Sequence, residues 1–542
     1  MRQGDLMTYS WKLYRKRLNE GFLDAKARES LFVLGLDLGN HSSSLAFYDI
    51  NRNMPEVIDV SGGYGKPSMP TALQYVRESR EWVFGEYALL NRGTTSDTIY
   101  TGLLEKLPKK EYLDVDGKPV ATEQVMGTYL REFLANCRNI NPKAEFAGIT
   151  LSVPGYTSDE SKEAILQVFK LSGYEKPLIS MDSDRECIFS WYFHRKPPKA
   201  EKVALLDFGS RELRGGLYDI VPGKNGEPAL IRCCSSLFDK SCGTDVVDSH
   251  VTRFLTDFYL SETNTPANRL DPRIASQIQA FAYQHKDLLF QQASGSRPVK
   301  LYYNFVYPPI VCSVTEKIMT DFLSPHRERF TDFLNRLFKK SITDSNLSKD
   351  DIDAVICTGG GFEMLWARNL AAEFFSGAEI LVGKNPKSAA ASGASVRSAQ
   401  ALGITEAVPF HIEDSHMLKV DIGVSVRTKS QNHKRERFFP IAENGSFWWQ
   451  EREPVTFIYG GETGEAENSG GISFFSRNAE GEQSELGIIS LDGLPKRPAG
   501  TTRLNLGLTF TQPGRITATL RDVGFGELFP TADFERRVEL VI

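Results

Sequence analysis

The sequence predicts an α/β protein of two duplicated lobes followed by a C-terminal β-sandwich, and three observations carry that prediction. First, LFVLGLDLGNHSSSLAFYDI at 31–50 returns as KVALLDFGSRELRGGLYDI at 202–220. Each copy is an apolar strand ending in Asp, a small-residue turn containing Gly, and a second strand. Second, strand, turn and helix follow one another after both copies, as in an α/β layer. Third, from 417 to 542 the pattern alternates in short runs broken by Gly and Pro, the signature of a sandwich.

The repeated hairpin carries the chemistry. Two such hairpins facing each other can enclose a phosphate chain, because tight-turn amides make a concave anion site and a strand-end carboxylate can hold a metal ion through water. Asp37 and Asp207 are therefore the candidate catalytic and metal-side residues. Their alternative reading is that of structural turn carboxylates.

The chain is too long, at 542 residues, for one core, and is expected to form three or four domains. A hydrophobic share of 41% and a charged share of 25% are those of a globular protein rather than a disordered one. A formal charge of −5 gives no electrostatic footprint for nucleic acid. The seven Cys form no paired C-x-x-C set, so neither a zinc site nor a disulfide framework is signalled. No apolar run reaches the roughly 18 residues of a membrane span, and a reducing, cytoplasmic setting is expected.

Residues 1–30 read as an N-terminal extension with a basic amphipathic stretch, and lobe I runs over 31–200. It holds a third strand at TALQYVRES, a helix near EQVMGTYLREFLANC, and a strand at FAGITLSVPG feeding a helix that Ser158 can cap. DSDRECIFSWYFHR at 182–195 reads as a helix with Ile188, Phe189, Trp191 and Tyr192 apolar. Lobe II, 201–403, is helix-rich between 245 and 345 and closes with DAVICTGGGFEMLWARNLAAEFF, where Gly359, Gly360 and Gly361 admit a ligand without a Cβ in the way. The same run also reads as loop punctuation. PKSAAASGASVRSAQAL is a small-residue helix suited to a close crossing, and 404–416 reads as a linker to the sandwich at 417–542.

Five signals thus stand in order: two phosphate hairpins, two connecting helices and a Gly-rich turn, followed by a β-sandwich containing LGIISLDGLPKRPAGTTRLNLGLTFTQPGRITATLRD at 486–522. In this order the chain resembles the seventy-kilodalton heat-shock chaperone family over nearly all of 31–542. The resemblance implies duplicated actin-like (ribonuclease H-like) ATPase lobes, ATP and Mg2+ as cofactors, and protein or peptide clients on the β-domain. Carried over, Asp37 and Asp207 are the metal-side carboxylates, acting through water. Gly39, Asn40, His41 and Ser42 form the first phosphate turn, and Gly209, Ser210 and Arg211 the second. Gly243 and Asp245 match the segment after it, Gly359 to Gly361 the adenosine turn, and Asn385, Pro386, Ala391 and Gly393 the second connecting helix.

The departures are specific. Gly209, Ser210, Arg211 and Glu212 replace a run of glycines and Thr. The catalytic Lys of the family aligns with Leu103, with Lys106 a displaced candidate, while Glu363 replaces an Arg and Lys387 an Asp. Lys286 matches a basic adenosine-side helix loosely, and His41 either faces phosphate or satisfies its turn. No helical lid is expected after the β-domain, which argues against long trapping of clients. Phe447, Trp448 and Trp449 read as a peptide surface or as packing, and GGETGEAENSGG as a binding rim or an idle loop. The expected function is therefore ATP-controlled partner binding with weak or absent hydrolysis. The alternatives are an inactive nucleotide-sensing or structural module and, less well supported, a small-molecule kinase.

Overall fold

A computed structural model describes residues 31–542 except 61–65, 92–96, 155–156, 158, 225–226, 293–297, 340–346, 407, 414–417, 419, 431–432, 444–447, 449–451, 461–470, 479–480 and 513. The chain divides into two compact units, one ending at Glu413 and one running from Asp414 to Ile542.

Among the described residues the first unit contains two six-stranded sheets and three smaller ones. β1 (Leu31–Asp37), β2 (Ser42–Asp49), β3 (Met54–Val57), β4 (Glu145–Val153) and β5 (Leu178–Ser183) lie in the order β5-β4-β1-β2-β3. β6 (Glu201–Phe208), β7 (Leu213–Val221), β8 (Ala229–Asp239), β9 (Ala354–Thr358), β10 (Glu379–Val382) and β11 (Phe410–Glu413) lie in the order β10-β9-β6-β7-β8-β11. Directions repeat as well: β1 is parallel to β4 and antiparallel to β2, as β6 is parallel to β9 and antiparallel to β7. Asp37 consequently stands beside Ser152 and Ser44, and Asp207 beside Thr358 and Arg214. The two carboxylates hold equivalent places at the ends of equivalent strands.

β4 from Gly148 onward and β9 along its whole length are buried, as parallel strands covered on both faces must be. The stretch expected as a linker differs from expectation. Its residues Phe410–Glu413 pair in parallel with Ala229–Arg232, and the Phe410 ring meets that of Phe193 edge-on. Pairing there covers what would otherwise be an open sheet edge.

The helices used below are α1 (Thr122–Ala135), α2 (Asp159–Ser172), α3 (Asp184–Arg195), α4 (Thr244–Glu262), α5 (Pro272–Gln292), α6 (Glu316–Lys339), α7 (Leu365–Phe374) and α8 (Ala389–Ala401). α3 starts at a reciprocal cap, with the Ser183 hydroxyl accepting from the Glu186 amide and the Glu186 carboxylate accepting from the Ser183 amide. The cap expected for α2, Ser158, lies outside the described residues.

α3 and α8 exchange partners between the two halves. α3 follows the first sheet in sequence, yet its Phe189 packs edge-on against Tyr218 of β7, with ring centroids 5.1 Å apart. α8 follows the second sheet, yet its Ser398 hydroxyl donates to the Leu34 carbonyl of β1 at 2.7 Å. Both contacts of α8 are at backbone distance: a Cβ on Gly393 would lie 1.7 Å from the Cys187 carbonyl of α3, and one on Gly35 would lie 2.0 Å from the Ala391 carbonyl. Small residues are a steric requirement of this crossing. Gly393→Ala is expected to cost about 3 kcal/mol; a urea midpoint equal to that of the wild-type protein would overturn this reading of the crossing.

Each half has its own core. Leu34, Leu36, Tyr129, Phe133 and Leu151 centre the first, and Phe208, Phe330, Phe362 and Trp366 an aromatic knot in the second. α4 and α6 are tied by His250 Nδ1 and His326 Nε2 at 3.0 Å. Burial, helped by the neighbouring His250 and Arg329, pushes His326 down from 6.5 to about 4. The unfolded chain therefore binds this proton more readily. Stability is full above pH 6.5 and falls as pH drops toward 4, by up to about 3 kcal/mol from this group. His326→Gln should flatten that part of the acid limb in denaturant titrations at pH 7 and 4.5; an unchanged difference between the two pH values would refute it.

The second unit is a sandwich. β12 (Asp421–Ser430), β13 (His433–Ala442), β15 (Gly471–Arg477) and β16 (Gln483–Ser490) form one sheet in the order β13-β12-β15-β16. β14 (Val455–Tyr459), β17 (Thr502–Gln512), β18 (Arg515–Asp522) and β19 (Glu535–Val541) form the other in sequence order. They share one core, with Ile422, Val424, Phe474 and Ile489 meeting Leu504, Leu506, Ile516 and Leu540. Arg497, in the turn before β17, makes two parallel 2.8 Å bonds to the buried Asp522 carboxylate and so fixes that turn. Trp448 packs against this core, while Phe447, Trp449 and residues 461–470 lie outside the described residues.

No described helix is long and apolar enough to cross a membrane. All seven cysteines are free and buried.

Candidate functional site

The site is built on the turns that join β1 to β2 and β6 to β7. Thr71 holds the first turn, its hydroxyl donating to the Gly39 carbonyl at 2.7 Å and its amide to the His41 carbonyl at 2.8 Å. Gly39 is obligatory there, because a Cβ would lie 2.2 Å from the Ser42 carbonyl. The second turn closes through Gly209 N–H to the Glu212 carbonyl at 3.0 Å. The start of α4 docks on this turn: the Thr244 and Asp245 amides donate to the Gly209 and Ser210 carbonyls at 3.0 and 2.8 Å. Gly243 permits the approach, since its Cβ would fall 2.3 Å from the Ser210 carbonyl. Two of the amides that a helix start leaves unpaired are thus already used within the chain.

Both Asp residues are ion-paired. Asp37 Oδ2 accepts from Lys387 Nζ at 2.6 Å, with both side chains more than four-fifths buried. Asp207 Oδ2 accepts from Arg214 Nη2 at 2.6 Å, and the same guanidinium donates through Nη1 to Asp184 at 2.6 Å and lies 3.5 Å from Glu212. Thr358 Oγ1 lies 3.4 Å from the other Asp207 oxygen. A divalent ion held through water between Asp37 and Asp207 does not fit this arrangement, since each carboxylate already carries a cation supplied by the chain.

The remaining residues converge across the two halves. His41 Nδ1 lies 3.5 Å from Asp245 Oδ1, and Lys286 Nζ donates to Asp248 at 2.6 Å. The ligand atoms of His41, Asp245 and Asp248 fall within 4.8 Å of one another. Desolvation holds the His41 imidazole below its ordinary value and Asp245 above its own. Asn40 of the first turn and Arg211 of the second both reach the Glu105 carboxylate. The buried acceptor Asn40 Oδ1 has no hydrogen-bond partner, and Asp245 Oδ1 has only the 3.5 Å contact with His41.

The glycine run divides its work. A Cβ on Gly359, whose φ is +87°, would lie 2.6 Å from Asp207 Oδ1, and one on Gly361 would lie 2.2 Å from the Phe208 ring. These two glycines are needed by the chain itself, whereas Gly360 faces open space. Glu363 is exposed, and Leu103 is fully buried in the first core, so it cannot stand in for a catalytic Lys. Sequence reading missed Glu105, Arg214 and Asp184. The signal for Glu105 was present: Leu103 and Leu107 are both core residues, which turns the Glu105 between them away from the core.

The chain is similar to seventy-kilodalton heat-shock chaperones. It is 20% identical over 516 residues to chaperone protein DnaK of Thermosipho melanesiensis, covering 92% of this chain and 79% of that protein. To the protein of the same name from Thermotoga petrophila it is 22% identical over 522 residues, covering 92% and 80%. Two family models also match: a domain of unknown function (DUF8552) over residues 417–542, and the C-terminal part of a family of unknown function (DUF5716) over 54–258.

Arg214 serves three carboxylates at once, so removing it leaves Asp184, Asp207 and Glu212 repelling one another. Arg214→Met is expected to cost about 3 kcal/mol, part of it recovered by adding Asp184→Asn. Additive effects of the two substitutions on the unfolding midpoint would argue against this shared role.

Proposed function

We propose that this protein is a chaperone-like binder of protein or peptide partners controlled by ATP, with weak or absent hydrolysis. In this reading the two halves of the first unit are actin-like lobes, ATP enters between the Asp37 and Asp207 turns, and the sandwich receives the partner. The observation that carries the proposal is the repeated strand order, which sets two Asp-x-Gly turns at equivalent sheet ends in a chain similar to chaperones over 92% of its length.

The local chemistry supports nucleotide over metal. Asn40 Oδ1 is a buried acceptor suited to a ribose hydroxyl or an adenine amino group, and the open space at Gly360 would admit the edge of such a ligand. Arg211 is the guanidinium available for a phosphoryl group, provided Glu105 gives way. No step is assigned to magnesium between Asp37 and Asp207, and with Leu103 buried there is no lysine at that position to stabilise charge in phosphoryl transfer.

Calorimetric titration of nucleotide-free protein with ATP and ADP, with and without magnesium, tests this together with phosphate release. One saturable site with release at background is expected. Absence of binding to folded protein would favour a second reading, a structural interaction module, to which the ion pairs on Asp37 and Asp207 also lend support.

A further inference from the structure

Glu105 occupies a position that its own segment prepares. Gly102, at φ +64°, turns the chain, and Leu103 and Leu107 are sunk in the first core at 0% and 1% exposure. The Lys106 amide closes the turn on the Leu103 carbonyl at 3.0 Å. The carboxylate of Glu105 is thereby held out of the core, where the Asn40 amide and the Arg211 guanidinium both donate to it. Those donors belong to the two different turns, one from each half of the unit. Both donors meet one carboxylate oxygen, and a guanidinium beside a side-chain amide is a donor pair that suits an anionic oxygen of a carboxylate or a phosphoryl group.

We propose that the Asn40–Arg211 pair is an anion site joining the two turns and that Glu105 fills it as an internal occupant, so that a polyphosphate binds by displacing Glu105. Asp37 offers a parallel, because its cation is likewise supplied by the chain, through Lys387. With both places filled from within, the two turns are bridged before any ligand arrives. Glu105 and Arg211 remain 37% and 51% exposed, so an incoming anion can reach them. The inference rests on the nucleotide reading only for the identity of the ligand; the anion site itself is tested separately.

The experiment uses the full chain as wild type, Glu105→Gln and Glu105→Asp, with tripolyphosphate and ATP as separate probes in calorimetry. Hydrogen exchange of segments 38–44 and 208–214 is followed without ligand. Glu105→Gln removes the charge, whereas Glu105→Asp keeps the charge and shortens its reach. Both should tighten tripolyphosphate binding by about tenfold or more, the scale of one charge-assisted bond no longer to be broken. Both should also speed exchange in the two turns.

Tighter binding in Glu105→Gln alone would mean that Glu105 acts through its field and not by occupancy, which overturns the proposal. Unchanged or weaker affinity in both variants, or unchanged exchange, overturns it as well. Tripolyphosphate binding that tightens in both variants while ATP fails to bind any of them supports the anion site and refutes the nucleotide reading.

Discussion

The first unit depends on one close approach, that of α8 to α3 and β1 at Gly393 and Gly35, where backbone meets backbone with no space for a Cβ. Through it each half of the unit is packed by a helix that the sequence assigns to the other. The same crossing determines the charges of the site. Lys387, just before α8, reaches Asp37 of the first sheet; Asp184, the first residue of α3, reaches Arg214 and through it Asp207 of the second. Each exchanged helix thus brings a charged residue to the Asp system of the half it packs against. Sliding either helix by a turn, about 5.4 Å, would separate these charges from their partners and leave them partly buried, so the packing and the ion pairs enforce one another.

Much of this was legible in the residues. The two hairpins were visible because an apolar run ending in Asp-x-Gly is a local pattern, and it recurs. α3 was visible from its apolar face, and α8 from its run of Ala, Ser and Gly. What sequence could not give was the pairing of charges. Lys387 was noted as a departure from a family pattern, but its partner lies 350 positions away, and no local periodicity links it to Asp37. Arg214 reads as one more strand residue until the fold sets Asp184 beside it. The strand at Phe410–Glu413 was hidden for a different reason: four residues rich in neither turn formers nor a sustained alternation become a strand only when an edge is there to receive them.

The glycines show where pattern and chemistry separate. A Gly-Gly-Gly turn after a buried strand suggests room for a ligand, and at Gly360 there is room. At Gly359 and Gly361 the missing side chains are required by Asp207 and Phe208 instead. The same residue type, in one run of three, therefore answers both to a visitor and to the chain's own packing.

The burial of all seven thiols has a practical consequence. Desolvation raises the thiols of Cys137, Cys187, Cys242 and Cys312, so little thiolate exists in the folded protein and alkylating or oxidising reagents find almost nothing to attack. Reaction must await an opening of the structure. Cys187, whose carbonyl lies against Gly393, is then a native probe of the helix crossing itself: the rate at which it is labelled is a clock for how often the two halves part.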